Sequence, residues 1–181
     1  MCPNLRFSIS YTTRMPRPSE VNGKDYFFIS EESFKEKIAQ GEFVEWVENY
    51  GKFYGTSRNV IKFFLDKGCD LIVDVEPRGA GKLKEIYVGG IFVFILPPSM
   101  EELGNRLIKR GFDREEEMRG RLNKACDEIK EIVWYDYIIV NDRLDDAVEQ
   151  LRAIYTAEKI KRDRMSERIS GFLKYACEKA P

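Results

Sequence analysis

The 181 residues carry 30 basic and 31 acidic side chains, a formal net charge of -1, and no histidine. A chain of this size builds one domain, its balanced charge leaves anion binding to local clusters of arginine and lysine and argues against coating nucleic acid, and the missing histidine removes Ser-His-Asp and Cys-His hydrolase chemistry from these residues. Four scattered cysteines without a C-x-x-C pair, together with no apolar run near the ~18 residues of a membrane span and no secretory leader pattern, point to reduced thiols in a cytoplasm and to no membrane partner.

In chain order, Phe7-Ser8-Ile9-Ser10 is a short candidate strand. Residues 20–60 change texture, with Tyr26-Phe27-Phe28-Ile29, a helix opened by Ser30 and ending near Gly41, and the alternating run Phe43-Val44-Glu45-Trp46-Val47, which reads as a β-rich insertion. Leu71-Ile72-Val73, Ile91 to Leu96 and Tyr137 to Val140 are nearly continuous apolar runs, the mark of parallel strands buried on both faces. Ser99 caps a helix running to about Lys109, with Glu101 and Glu102 at its positive end. Gly111 to about Tyr135 is a charged, helical second insertion, and Leu144 opens a long amphipathic helix into Lys159. The basic section Lys159, Lys161, Arg162, Arg164 and Arg168 reads as a solvated helix end. The fold class is α/β, a parallel sheet flanked by helices.

The chemistry concentrates in a few segments. Ser10-Tyr11-Thr12-Thr13-Arg14-Met15-Pro16-Arg17-Pro18 sets two guanidinium groups three residues apart on a proline-stiffened turn, an anion clamp. Glu20, Tyr26, Glu45-Trp46, Tyr54-Gly55-Thr56 and Asp74 follow. In order and spacing, T-T-R-x-P-R-P-x-E-x-x-G-x-D-Y, E-F-x-E-W, Y-G-T, I-L-P-P-S, R-L-x-x-R-G and Y-D-Y-x-x-V-N-D resemble the guanylate kinase family from about Asn4 to Lys159. The resemblance implies a P-loop NTPase-like sheet with a GMP-binding insertion over about 11–68, a lid over about 111–135 and a helical extension over 161–181. It implies GMP held by Ser10, Arg14, Arg17, Glu20, Tyr26, Glu45, Tyr54, Thr56 and Asp74, and lid arginines Arg106, Arg110 and Arg121 on the transferring phosphoryl group. Asn141 would lie near the adenine of ATP, or simply form a turn with Asp142. Asp74 would also meet Mg²⁺ accompanying ATP.

The residue chemistry agrees. Guanine presents N1–H and an N2 amine beside the O6 acceptor, so its pocket needs a carboxylate and a hydroxyl, matched by Glu45 and Thr56. A monophosphate takes arginine forks and phenolic donors. Trp46 reads as core packing. Where the family has D-x-D-x-Q-G, this chain has Asp74-Val75-Glu76-Pro77-Arg78-Gly79, a longer second acid and a guanidinium in place of an amide.

No G-x-x-x-x-G-K-[ST] loop for nucleotide phosphates occurs in these residues. Gly79-Ala80-Gly81-Lys82 follows a strand but lacks the first glycine and the hydroxyl, and reads as a helix N-terminus packed near the sheet. The resemblance therefore implies a chain shortened at its N-terminus, without first strand, phosphate loop and first helix, and inactive or crippled in isolation. The alternative expectation is a non-catalytic GMP-binding or protein-interaction module.

Overall fold

The computed structural model describes residues 2–109 and 115–179, and the chain divides into two compact units, Met1–Phe92 and Val93–Pro181. In the first, Leu5–Phe7 forms β1, Tyr11–Thr12 β2 and Phe27–Phe28 β3. Glu31–Ala39 forms helix α1, for which the Ser30 side chain accepts from the Ser33 amide and Gly41, at φ 67°, takes the left-handed turn past the helix end. Ser30→Ala is expected to cost about 1 kcal/mol of unfolding free energy, read by urea titration, with no change in the denaturant slope.

Phe43–Asn49 is β4 and Lys52–Ser57 is β5. They join through Tyr50 and Gly51, both at positive φ (51° and 67°), the two-residue turn whose twist matches a hairpin. The β-rich sheet has the order β3-β2-β5-β4, and its aromatic seam stacks Phe34 on Phe43 and Phe53 with centroids 4.5 and 5.5 Å apart. Phe34 has no exposed surface, so α1 is fastened to the sheet by this ring alone among its fully buried residues.

Arg58–Asp66 (α2) starts on Ser57, whose side chain accepts from the Val60 amide. Asp70–Ile72 (β6) pairs parallel with β1, and Pro77–Ile86 is α3. Pro77 suits the first turn of α3, where its missing N–H leaves no bond unmade. Val44, Ile61 and Leu83 form the buried core of this unit, packed by Leu71, Val73, Val75, Tyr87 and Phe92.

In the second unit, Val93–Leu96 (β7) leads into Met100–Lys109 (α4). Ser99 caps α4 as its sequence indicates, accepting from the Glu102 amide at 3.0 Å. Glu115–Lys130 (α5) and a 3-10 turn at Glu131–Trp134 precede Tyr137–Val140 (β8), which pairs parallel with β7. Leu144–Lys159 (α6), a second 3-10 turn at Arg162–Met165 and Ser166–Lys179 (α7) complete the chain.

The α/β class stands, with both parallel pairs flanked by helices. Burial on both strand faces does not: Ile95, Ile138 and Val140 are about half exposed, because β7 and β8 pair only with each other among the described residues. The basic tail is solvated, as its sequence suggests: the Lys161, Arg162 and Arg164 side chains are 57%, 92% and 38% exposed. Lys161 Nζ lies 2.6 Å from the buried Glu158 carboxylate, which also accepts from the Tyr137 hydroxyl, so the end of α6 is tied to β8.

Candidate functional site

The β4–β5 register shifts between Phe43 and Glu45, so that Phe43 faces Ser57 and Glu45 faces Thr56 with Val44 as the extra residue. Such a bulge re-aims side chains. Here it sends Val44 into the apolar core and leaves Glu45, only 4% exposed, beside the fully buried Thr56. The Thr56 hydroxyl donates to Glu45 Oε1 at 2.5 Å. Burial raises the Glu45 carboxyl above its ordinary value, and the Thr56 hydrogen bond and Lys82 oppose that rise. Trp46, read from the sequence as core, is only half-buried: its ring lies 6.0 Å from that of Phe53, and Lys82 Nζ donates to its carbonyl oxygen at 2.9 Å.

Two residues back along β5, on the same face as Thr56 and about 7 Å from it, stands Tyr54. Its ring meets Tyr26 edge-on at 6.2 Å, and Arg14 lies 5.5 Å from the Tyr26 ring centroid. The Arg14 guanidinium forms a two-pronged pair with Glu20, both contacts 2.8 Å. Glu20 also accepts from the Arg17 amide at 2.7 Å. The Arg14 hydrogen bond is the main reason that the Glu20 carboxyl falls to about 2. Burial, then the nearby Asp74 charge, raises the Tyr26 phenol.

The loop carrying these arginines is pinned to β5. Thr12 donates its hydroxyl to the Phe53 carbonyl at 3.0 Å and accepts from the Arg14 amide, while Thr13 Oγ accepts from the Phe53 amide at 2.9 Å. Ser10, at 9% exposure, lies just before the loop, its carbonyl accepting from the Phe27 amide. Ser10, Arg14, Arg17, Glu20, Tyr26, Glu45, Tyr54, Thr56 and Asp74 therefore all belong to the first unit, on or beside one sheet.

Asp74 follows β6 at an exposed position; desolvation by the atoms crowded round its carboxyl, then the neighbouring Glu76, raises that carboxyl. Glu76 Oε1 accepts from the side-chain Nδ2 of Asn49 at the end of β4, so the extra methylene relative to aspartate is used to reach a strand end. Gly79-Ala80-Gly81-Lys82 is the first half of α3, with Gly79 and Ala80 buried, in agreement with a helix N-terminus packed by the sheet. Lys82 is turned to the Trp46 carbonyl. Among the described residues, no three His, Cys, Asp or Glu side chains converge on a metal position.

In the second unit, Arg106 Nε lies 2.8 Å from Glu102 Oε1 and its terminal nitrogens donate to the carbonyls of Asn141 (2.9 Å) and Asp142 (3.4 Å). Arg106 thus closes the turn after β8. A cavity of about 250 Å³ lies there, lined by Ile95, Leu96, Pro97, Leu103, Arg106, Leu107 and Asn141. Arg121 is on α5, and Arg110 lies outside the described residues. The structure brings Arg106 and Asn141 into one place, whereas the sequence reading assigns Arg106 to a lid and Asn141 to adenine or to a turn. That reading overlooks Asn49, whose only sequence signal is its place next to the hairpin turn, and the close approach of Gly79 to Glu45.

The guanylate kinase family model matches residues 3–158 of this chain. The guanylate kinase of Syntrophus aciditrophicus (strain SB) is 56% identical over 172 residues, covering 95% of this chain and 83% of the relative. That of Geobacter metallireducens is 48% identical over 168 residues, covering 93% and 83%. A crystal structure of guanylate kinase from Anaplasma phagocytophilum superposes with a TM-score of 0.75 at 36% identity, covering 90% of this chain and 80% of that one.

Proposed function

Since this chain belongs to the guanylate kinase family, whose reaction is the ATP-dependent phosphorylation of GMP, we propose that its first unit is the acceptor site and binds GMP in an extended pose along β5. The observation that carries this is a buried carboxylate, Glu45, on the same sheet as an arginine–tyrosine anion clamp. Glu45 accepts from guanine N1–H and the N2 amine. Those two donors displace the Thr56 proton from Glu45, and the freed hydroxyl turns to donate to O6. Arg14 and Arg17 bind the phosphate, with the Tyr26 and Tyr54 phenols donating to it. Ser10 and Asp74 border the nucleoside, and Glu20 acts by holding both arginines rather than by touching an anion.

Mg²⁺ takes one or two carboxylates and completes its shell with phosphates and water. Asp74 fits that demand, because the neighbouring Glu76 disfavours charge on it and a cation would relieve the conflict. When bound, the ion neutralises charge on the phosphates of the nucleotide. Arg106, Arg110 and Arg121 are the cationic residues proposed to stabilise charge during transfer, Arg106 after release from the Asn141 carbonyl. Asn141 is proposed to border adenine. With no G-x-x-x-x-G-K-[ST] loop among its 181 residues, this chain alone is proposed to hold GMP well and to transfer phosphate slowly.

Calorimetry with GMP, AMP and guanosine tests the reading, with release of ADP from ATP and GMP followed in parallel. GMP is expected to bind about 100-fold more tightly than AMP or guanosine, and ADP release to be slow. Equal affinity for GMP and AMP would remove the guanine assignment, and release at tens per second, an ordinary enzyme turnover, would remove the proposed weakness.

A further inference from the structure

We propose that Gly79 is a specificity-determining position for the base, because only a residue without a side chain lets the Glu45 carboxylate lie against the first turn of α3. This rests on the reading of Glu45 as the partner of guanine. A Cβ at Gly79 would stand 2.5 Å from Glu45 Oε2, 3.0 Å from its Cδ and 3.4 Å from Val75 Cβ. The first separation is closer than side-chain carbons come to other atoms and the second is tighter than most such contacts, so the carboxylate or the helix would have to shift.

The backbone does not require glycine there. Gly79 is the third residue of α3 and is not among the glycines at positive φ. Helix propensity favours alanine at such a position. Gly81, two residues on in the same helix, is a control provided by the molecule: a Cβ there meets nothing within 4 Å. The demand for a bare Cα is thus local to the acid.

Glu45 has little room to retreat. It is 4% exposed, Oε1 receives the Thr56 hydroxyl, and its backbone is held in the β4–β5 ladder. Oε2 occupies the space beside the first turn of α3, where unpaired amides make a helix end positive and favour an anion. A methyl group at residue 79 would rotate the carboxylate off Thr56 or lift α3 from β4. Either change misplaces the acceptor edge that reads N1–H and the N2 amine, and neither touches Arg14 or Tyr26.

The test compares the full chain with Gly79→Ala, Gly81→Ala, Glu45→Gln and the double variant Gly79→Ala/Glu45→Asp, by calorimetry with GMP and with inosine monophosphate, which lacks the N2 amine. Gly79→Ala is expected to weaken GMP binding about 100-fold and inosine monophosphate binding, which has only N1–H to lose, about 10-fold, so that the preference falls about 10-fold. Gly81→Ala stays within about 2-fold of the parent for both. The shorter acid makes room for the methyl group, so the double variant regains preference relative to Gly79→Ala.

If Gly79→Ala keeps the parent preference while Glu45→Gln loses it, the role of Gly79 is overturned and the guanine reading stands. Equal weakening of both nucleotides by Gly79→Ala likewise overturns it, as a general loss of structure. If Glu45→Gln binds GMP like the parent, the guanine reading itself fails. Should Gly79→Ala not fold, the double variant must fold, since it removes the clash. Its failure would also overturn the proposal.

Discussion

Glu45→Gln is expected to melt a few degrees above the parent chain at neutral pH while binding GMP about 100-fold more weakly. Both effects come from one buried charge. Burial raises the Glu45 carboxyl in the folded protein, so the fold binds that proton more tightly than the unfolded chain does. Stability from this group is therefore full below its unfolded pKa and is lost as pH rises through the raised folded pKa. Glutamine keeps the shape and an oxygen for the Thr56 hydroxyl but removes the charge, and each kcal/mol recovered raises the melting temperature by about 2–4 °C in a chain of this size.

Binding moves the other way. A carboxylate accepts from both guanine donors, whereas an amide turns one of its own donors toward them, and hydrogen bonds to a charged group are worth about 1.5–3 kcal/mol each. Calorimetry at several pH values isolates the group. GMP affinity of the parent declines on acidification at a higher pH than an ordinary glutamate would set, and the Gln variant lacks that component. The phosphate of GMP titrates identically in both, so their difference reports Glu45. A lower melting temperature for Glu45→Gln would mean that the ionised acid supports the fold.

The parts of the fold set by periodicity were legible in the sequence. Ser30 and Ser99 start helices where their hydroxyls can accept a free amide, α6 spans Leu144–Lys159, and β7 and β8 lie within the apolar runs. Features that depend on contacts distant in sequence were not legible. The alternation of Phe43 to Val47 contains no sign of the bulge at Val44, because a bulge is a property of two strands together, and without it Glu45 would not face Thr56. Arg14 and Glu20 are six residues apart on an irregular loop, where no period pairs them. Arg106 looks like a free cation on a helix, yet it binds carbonyls thirty-five residues away. Motif order nominated the candidate site residues; only geometry shows which of them are tied to one another or to the backbone.

That separation is sharpest at the anion clamp. Arg14→Ala is expected to weaken GMP binding at least about 100-fold and to leave guanosine binding within about 3-fold, since a guanidinium fork on a phosphate is charge-assisted twice over. Glu20→Ala removes a negative charge from beside a phosphate site, and simple electrostatics predicts tighter binding. The geometry predicts the opposite, about 10-fold weaker. Glu20 holds both terminal nitrogens of Arg14 at 2.8 Å and the Arg17 amide at 2.7 Å, and its side chain is 13% exposed against 48% for Arg17. Without it, Arg14 loses its fixed orientation and the turn through Pro16 loses its brace.

The same carboxylate leaves a signature in acid. Its pKa is lowered from the ordinary 4.5 to about 2, so its contribution to stability is complete above about pH 5 and disappears as pH falls through that interval. The parent should therefore melt above Glu20→Gln at pH 7, and the gap should close by about pH 2–3. Tighter GMP binding by Glu20→Ala, or a gap that does not change with pH, would show that Glu20 is a bystander and that Arg14 is oriented by the Met15 carbonyl, Tyr26, Phe28 and Tyr54.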